Sequence, residues 1–179
     1  MMLPPKLEDQ CSRYLVYSDL IEVGETFKNS TLLNNPQQLA SYIAMSSLST
    51  ILLDPIIDEF GSIDITYGFC SHQLSKKIPG RIAPKLDQHS AFETNSLGRR
   101  ICKRDGAAVD FYVTKHMDSM GLVVEWIIEN LPFDRLYFYG DDRPIHLSYS
   151  DLPAKKATTF TLTNSGRRIP KPYVSRGDR

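Results

Sequence analysis

Cysteines are few in this sequence, and they are scattered. The 179 residues include three, Cys11, Cys70 and Cys102, and no two of them form a Cys-x-x-Cys motif. An odd number of isolated cysteines is more typical of reduced thiols than of a disulfide-bonded secreted domain. The first 20 residues also lack the basic start and apolar run of a cleaved signal peptide. We therefore expect an intracellular, cytoplasmic protein.

Long apolar runs and glycine-rich phosphate loops are missing as well. No stretch approaches the roughly 20 consecutive apolar residues of a membrane-spanning helix, so we expect no membrane contact. No P-loop or dinucleotide-binding glycine motif is present, which argues against the nucleotide-binding folds that depend on one. Apolar residues make up 41% and charged residues 23% of the chain. This composition is that of an ordinary globular domain and excludes disordered and fibrous proteins.

The formal net charge is zero, but the charges are unevenly distributed. Residues 76–104 contain eight Lys or Arg against two acidic residues, and residues 167–179 contain five against one. Segregated positive charge favours anionic partners such as phosphates, nucleic acid or carboxylates. Solvated loops and tails carry similar charge without such a partner, and the two interpretations are about equally favoured.

Hydrophobic periodicity predicts helices early in the chain and strands mostly later. A helix capped near Ser18 and Asp19 is followed by a main buried helix at 36–59, which Pro55 should bend or divide. The later predicted segments are a strand at 62–69, a short helix at 71–78, a long loop at 79–104, a strand at 107–113, a helix at 118–131, a strand hairpin at 135–139 and 144–149, and a β-like run at 158–163. This order predicts an α+β fold with N-terminal helices packed on a small antiparallel sheet.

The chain length predicts a single domain with a short appendage. We place the domain at residues 1–150 and a C-terminal extension with a basic tail at 151–179. Residues 79–104 form a basic insertion within the domain, because they show no clean periodicity. Loops of that length inside a compact domain tend to be functional or mobile.

Two polar residues stand inside predicted apolar strands. Asp110 lies within Ala-Val-Asp-Phe-Tyr, and His146 lies within Pro-Ile-His-Leu-Ser. A carboxylate among buried neighbours needs a partner, because burying an uncompensated charge is costly. A metal ion would supply that partner, and histidine is the commonest metal ligand. Strand alternation alone favours the other interpretation, in which both side chains face solvent.

A set of ordered motifs resembles a known family. Residues 106–110 (Gly-Ala-Ala-Val-Asp), preceded by Gln88-His89 and followed by Pro-Ile-His-Leu-Ser at 144–148, resemble the zinc D-Ala-D-Ala carboxypeptidase and dipeptidase family. Its pattern is His-x-x-Gly-x-Ala-x-Asp and then a strand with Trp-hydrophobic-His. Residues 52–71 resemble the helix, strand and turn that precede this pattern. The resemblance spans about residues 40–150 and implies the Hedgehog/DD-peptidase fold.

The same resemblance implies a zinc ion bound by His89, Asp110 and His146. In the family six residues separate the first histidine from the aspartate, whereas here twenty do, and the basic insertion lies between them. The assignment of His89 therefore depends on a weaker match than those of Asp110 and His146. A ligand set of two histidines and one carboxylate also admits iron.

The residues that assist the metal in the family are replaced in this chain. The family's turn arginine, which binds substrate, falls on Cys70, and its acidic general base falls on Arg143. We expect Asp142 to act as the base, although Asp141-Asp142 is also a simple turn signal. A catalytic arginine is then expected from Arg104 or Arg143, of which Arg143 is equally consistent with a solvated residue at a strand edge.

Three further residues are expected beside the substrate. Arg81 is a candidate replacement for the missing arginine. Cys70 takes the place of the family's turn arginine, and His72 follows it closely in the chain. A nucleophilic role for Cys70 is disfavoured, because buried free cysteines are the commoner case.

Two functions follow from different classes of protein. The first is a zinc-dependent hydrolase that cleaves an amide or peptide bond with metal-activated water, acting on cytoplasmic peptides or, after lysis, on cell wall as a phage-type lysin does. The alternative is a metal-binding domain of the same fold that binds or acts on an anionic nucleotide or nucleic acid through the basic segments. The alternative predicts binding that weakens steeply with salt. A metal-stabilised interaction module without catalysis is a third possibility.

Overall fold

The structure is a computed structural model that describes residues 3–78, 84–163, 165–175 and 177. The helices are α1 (Tyr17–Ile21), α2 (Glu25–Lys28), α3 (Leu39–Leu48), α4 (Asp54–Phe60), α5 (His72–Ser75) and α6 (Met120–Asn130). The strands are β1 (Ile63–Tyr67), β2 (Ala107–Val113), β3 (Arg135–Phe138), β4 (Ile145–Tyr149), β5 (Lys156–Leu162) and β6 (Arg168–Pro172). The mixed α and β content confirms the predicted α+β class.

The six strands form one sheet in the order β1-β2-β4-β3-β5-β6. Every neighbouring pair is antiparallel except β3 and β5, which are parallel. The predicted antiparallel sheet is therefore wrong in one respect, because the sheet is mixed. The connection at 150–155 causes the parallel pairing. It crosses the start of β3, so that β5 begins beside Arg135 and runs in the same direction as β3. Asp134 holds that connection, since its carboxylate accepts a hydrogen bond from the Ala154 amide at 2.9 Å.

One face of the sheet packs on the helices. Strand alternation directs Val109, Phe111 and Val113 of β2 into the core, where each is at most 1% exposed. Leu136 of β3 and Leu147 of β4 lie on the same side and are fully buried. Helices α3 and α6 cover this face and contribute apolar side chains to it. Each large side chain buried in this way contributes about 1.5–3 kcal/mol to stability. The hydrophobic core therefore lies on this face, and polar residues can occupy the opposite face.

The predicted main helix is a continuous helical segment, Leu39–Phe60, that changes type before its proline. Residues Ser49–Leu53 are π-helical between α3 and α4. Pro55 has no amide hydrogen, and its ring crowds the carbonyl of Ile51, so the regular hydrogen-bond ladder cannot run through this turn. The segment is long and apolar enough by length and composition to cross a membrane, with a mean hydropathy of 1.4, but 56% of that window is buried inside the fold. It also packs on β2 and β4, as the central helix of a domain core does.

The basic insertion is anchored to the N-terminus of α3. Glu93 is 2% exposed, and its carboxylate accepts hydrogen bonds from the backbone amides of Gln37 and Gln38 and from the Ser41 hydroxyl, at 2.8–3.2 Å. Gln38, the residue at the cap position, provides no side-chain bond of its own. The carboxylate thus satisfies the amides of the two residues that lead into α3 and complements the positive end of the helix dipole.

Replacing Glu93 with Gln should destabilise the protein by about 1–3 kcal/mol, because it weakens the hydrogen bonds that a buried, charged carboxylate accepts. Urea denaturation followed by circular dichroism measures this loss. Glu129→Gln, at an exposed position on α6, is the matched control and should stay within about 0.5 kcal/mol of wild type. Equal stability of the two variants would show that Glu93 does not anchor the insertion.

The basic tail contains a strand that the sequence analysis missed. Strand β6 pairs with β5 from Leu162 opposite Arg168 to Thr158 opposite Pro172. Beyond it, the hydroxyls of Tyr173 and Ser175 donate to the two carboxylate oxygens of Glu125 on α6, at 2.7 and 2.6 Å. The C-terminal residues therefore extend the same sheet and then cross to its helical face.

Candidate metal centre

Strands β2 and β4 place two candidate ligands side by side. Asp110 and His146 are partners in the antiparallel register, so their side chains lie on the same face, opposite the one that packs on the helices. His146 is 8% exposed, and the Asp110 side chain is 27% exposed. The interpretation that both residues are solvated surface positions is therefore wrong for His146, while Asp110 keeps partial access to solvent.

His89 reaches the same point from the basic insertion. It lies in a 3₁₀ turn, Gln88–Ser90. The Asp87 side chain caps this turn by accepting a hydrogen bond from the His89 amide at 3.0 Å. The His89 carbonyl accepts a hydrogen bond from the Cys70 amide at 2.9 Å, which ties the turn to the end of β1. The His89 ring is 4% exposed. The twenty intervening residues therefore do not separate His89 from Asp110 in space.

The three side chains converge through one atom each. His89 Nε2 lies 3.2 Å from His146 Nδ1 and 3.3 Å from Asp110 Oδ1, and His146 Nδ1 lies 2.8 Å from Asp110 Oδ1. Zinc bonds of about 2.0–2.1 Å in a tetrahedral site place neighbouring ligand atoms about 3.3 Å apart. The His89–Asp110–His146 group could therefore hold a metal ion.

The hydrogen bonding of His89 suits a metal ligand. Its Nδ1 lies 2.9 Å from the carbonyl oxygen of Gly68, an acceptor, so Nδ1 carries the proton and donates it there. In the neutral ring this leaves a lone pair on Nε2, directed at Asp110 and His146. Histidines that bind metals usually donate their other ring N–H to a carbonyl or carboxylate in this way.

The cluster is an electrostatic unit. Burial alone would lower the pKa of His89, but the negative charges of Asp110 and Asp87, together with the hydrogen bonds of the ring to Asp110 and Gly68, outweigh burial and raise that pKa. Burial would raise the pKa of Asp110, but His89 and His146 outweigh it and hold that pKa far below its usual range. Asp110 is thus ionised at neutral pH, and positive charge among the three atoms is favoured, whether it is carried by protons or by a cation.

Aromatic rings fix the two histidines. Tyr137, the register partner of His146 on β3, stacks on its ring with centroids 4.6 Å apart and an interplanar angle of 13°. Tyr67 packs on the His89 ring at 4.2 Å. The guanidinium of Arg104 donates to the Tyr137 hydroxyl at 3.1 Å and to the Leu86 carbonyl at 3.2 Å. The predicted catalytic Arg104 therefore lies one side chain away from His146.

The other predicted catalytic residues lie on the exposed turn before β4. Asp142 and Arg143 are both exposed, and Asp142 accepts a hydrogen bond from the Tyr112 hydroxyl through its carbonyl oxygen. Within the described part of the chain, no hydrogen bond or ion pair joins either side chain to the three candidate ligands. The neighbouring Asp141 accepts from the Met120 and Gly121 amides and so caps α6, which agrees with its interpretation as a structural residue.

The predicted substrate-side residues have different environments. Cys70 is fully buried, which keeps its thiol away from a ligand, although its amide helps to hold His89. His72 is half-buried at the first position of α5. Arg81 lies outside the described residues.

The sequence did not point to two residues near the site, Tyr139 and Asp87. Tyr139 lies two residues beyond Tyr137 on the same side of the sheet, and burial together with the charge of Asp110 raises the pKa of its hydroxyl. The phenol is therefore a hydrogen-bond donor at neutral pH. The charge of Asp87 acts on both Tyr139 and His89. The spacing of two from Tyr137, whose strand pairs with that of His146, is the signal that could have identified Tyr139.

Comparison of the chain with protein-family models, with curated proteins and with solved structures finds no match. The family resemblance therefore depends on the motifs and on the geometry of the site.

Proposed function

We propose that this protein is a zinc-dependent hydrolase of the Hedgehog/DD-peptidase fold, similar to the D-Ala-D-Ala carboxypeptidases and dipeptidases, and that it cleaves an amide or peptide bond. The observation that carries the proposal is the convergence of His89 Nε2, Asp110 Oδ1 and His146 Nδ1 within 3.3 Å. A loop histidine, a strand aspartate and a histidine on the neighbouring strand are the arrangement that the resemblance implies.

The donor set fits a catalytic rather than a structural zinc ion. Two histidines and one carboxylate leave a coordination position open, and zinc bound there would polarise a carbonyl group and lower the pKa of a water molecule. The protein's own residues orient this site. Gly68 fixes the proton of His89 on Nδ1, and Tyr137 holds the plane of the His146 ring.

We assign two side chains to act on a substrate carbonyl. Tyr139 packs on Phe160, on the face of the sheet that carries His146, and its hydroxyl is protonated at neutral pH and can donate a hydrogen bond. Arg104 contributes positive charge behind Tyr137, where its two hydrogen bonds hold it in place. Preorganised donors and positive charge of this kind stabilise the oxyanion that develops when a carbonyl is attacked.

The attacking water must lose a proton, and a carboxylate other than the ligand Asp110 must take up that proton. Asp142 is the candidate from the motif comparison, and Asp87 is the candidate from its position beside His89. Asn substitutions at the two positions distinguish them. The base is the residue whose replacement lowers kcat while zinc content stays at the wild-type level.

Of the three arginines of the insertion that the structure describes, Arg100 and Arg104 are engaged within the protein, which favours the hydrolase over the nucleotide or nucleic-acid alternative. Arg100 forms an ion pair with Asp105, donates to the Ala91 carbonyl and lies over the Phe92 ring. Arg104 is held by two hydrogen bonds. Residues that contact one another in this way are less available to bind a phosphate backbone.

The test is turnover of blocked L- and D-peptides by the zinc-loaded protein. We expect hydrolysis that disappears after chelation and returns with zinc, and that falls at least about 100-fold in His146→Ala. His116→Ala is the matched control, because His116 bonds to Ser119 and packs on Phe60 away from the site. Zinc at full occupancy without turnover would refute the hydrolase, and salt-sensitive binding of an oligonucleotide would then support the alternative.

A further inference from the structure

An aromatic and cationic surface extends from the candidate metal centre across the second half of the sheet. We call it the aromatic shelf, and its members are Tyr137 and Tyr139 of the β3 segment, Phe160 of β5 and Arg168 of β6. Strand register places these four side chains on the face that carries His146. The shelf is therefore continuous with the site.

Ring contacts connect the shelf to the metal ligands. Tyr137 stacks on His146 and meets the Phe160 ring edge-on, with centroids 5.4 Å apart. Tyr139 lies nearly parallel to Phe160 at 5.1 Å. All three shelf rings are half-buried. A ligand bound at the metal centre can thus lie against apolar ring surface as it extends toward β6.

Arg168 ends the shelf with an uncommitted positive charge. Its guanidinium carbon lies 5.1 Å from the centroid of the Tyr139 ring, a cation–π contact that orients the side chain. The residue is exposed, and across the described ranges no carboxylate or carbonyl accepts a hydrogen bond from its side chain. Arg104 differs, because its Nη1 donates to the Leu86 carbonyl and to the Tyr137 hydroxyl.

Arg168 is also linked to the site by contacts between rings, because Tyr139 lies against Phe160, and Phe160 meets Tyr137, the ring that stacks on His146. The positive charge of Arg168 and the negative charge of Asp110 act in opposite directions on the pKa of the same Tyr139 hydroxyl. A guanidinium has five N–H donors in a planar arrangement that matches a carboxylate or a phosphoryl group.

We propose that Arg168 binds an anionic group of the substrate, a carboxylate or a phosphoryl group, while the part of the substrate between that group and the scissile bond packs on Phe160 and Tyr139. The inference rests on the proposed hydrolase function and assigns its substrates to an acidic class. It lies beyond the motif resemblance, which ends near residue 150.

Alkyl hydroxamates test the proposal on the zinc-loaded protein, since the hydroxamate chelates zinc and the other end of the chain can be varied. We compare chains of three to six carbons that end in a carboxylate, a phosphonate or a methyl group, by isothermal titration calorimetry. At one chain length we expect an anionic end to improve affinity about ten-fold over methyl. Which anion gives the larger gain distinguishes carboxylate from phosphoryl substrates.

Arg168→Gln should reduce that preference to less than about two-fold and leave the affinity of the methyl-ended hydroxamate unchanged. Arg167→Gln is the matched control, because it removes the same charge from an adjacent exposed residue, and it should retain the preference. Equal binding of anionic and neutral chains at every length, or a preference that survives in Arg168→Gln, overturns the inference. Zinc content measured on the same samples distinguishes that result from failure of the metal centre itself.

Discussion

Zinc is expected to stabilise the wild-type protein strongly and the Asp110→Asn variant hardly at all. A ligand that binds only the folded state stabilises it by about 4 kcal/mol at roughly 1,000 times its Kd, which corresponds to a rise in Tm of roughly 10 °C for a domain of this size. Asn keeps the shape of Asp110 but removes the negative charge that pairs with His89 and His146. Thermal unfolding of chelated and zinc-supplemented samples measures the difference.

Asp64→Asn provides the control for the zinc experiment. Asp64 is an exposed carboxylate on β1, the strand next to β2, so the same substitution there should leave the zinc-dependent shift in Tm intact. Elemental mass spectrometry on the three proteins should find about one zinc per chain in the wild type and the control, and none in Asp110→Asn. An equal zinc-dependent shift in all three would place the bound zinc elsewhere.

Replacing Gly106 with Ala is expected to destabilise the protein strongly. Gly106 has φ +102°, and a Cβ built there would lie 1.7 Å from the carbonyl oxygen of Tyr149. The two backbones meet where β2 begins beside the end of β4, so neither can move without shifting the register that aligns Asp110 with His146. We expect a loss of at least about 4 kcal/mol, which urea denaturation and the soluble yield would report.

Gly98→Ala separates backbone strain from the steric clash. Gly98 also has a positive φ, +71°, but nothing lies within 4 Å of the position of its Cβ. That variant should lose only about 1–2 kcal/mol, the cost of a left-handed alanine. If Gly106→Ala were no less stable than Gly98→Ala, the close approach of Gly106 to Tyr149 would be wrong.

Local patterns predicted the elements that bury apolar residues at regular spacing. Strand 107–113 matches β2 residue for residue, and the helix at 118–131 becomes Met120–Asn130. Each is determined by its own periodicity, with apolar side chains recurring on one face. The parallel pairing of β3 with β5 was not predictable in this way, because it depends on how Asp134 and residues 150–155 direct the chain around the start of β3.

The site was predictable to the extent that strand register alone brings residues together. Asp110 and His146 are direct partners, and the motif comparison named both. His89 joins them through its bond to the Gly68 carbonyl and through its own carbonyl to Cys70, contacts that no spacing rule contains. Asp142, the predicted base, stays a prediction, since the structure places it on an exposed turn.

Strand β6 was missed because two of its five residues are prolines, which argue against a strand by composition. Proline is tolerated only at an edge strand, with its nitrogen directed away from the neighbouring strand, and β6 is the last strand of the sheet. Pro170 and Pro172, opposite Phe160 and Thr158, thus remove amide donors from the outer side of β6. An additional strand from another molecule would find few donors there, so this end of the sheet resists edge-to-edge aggregation.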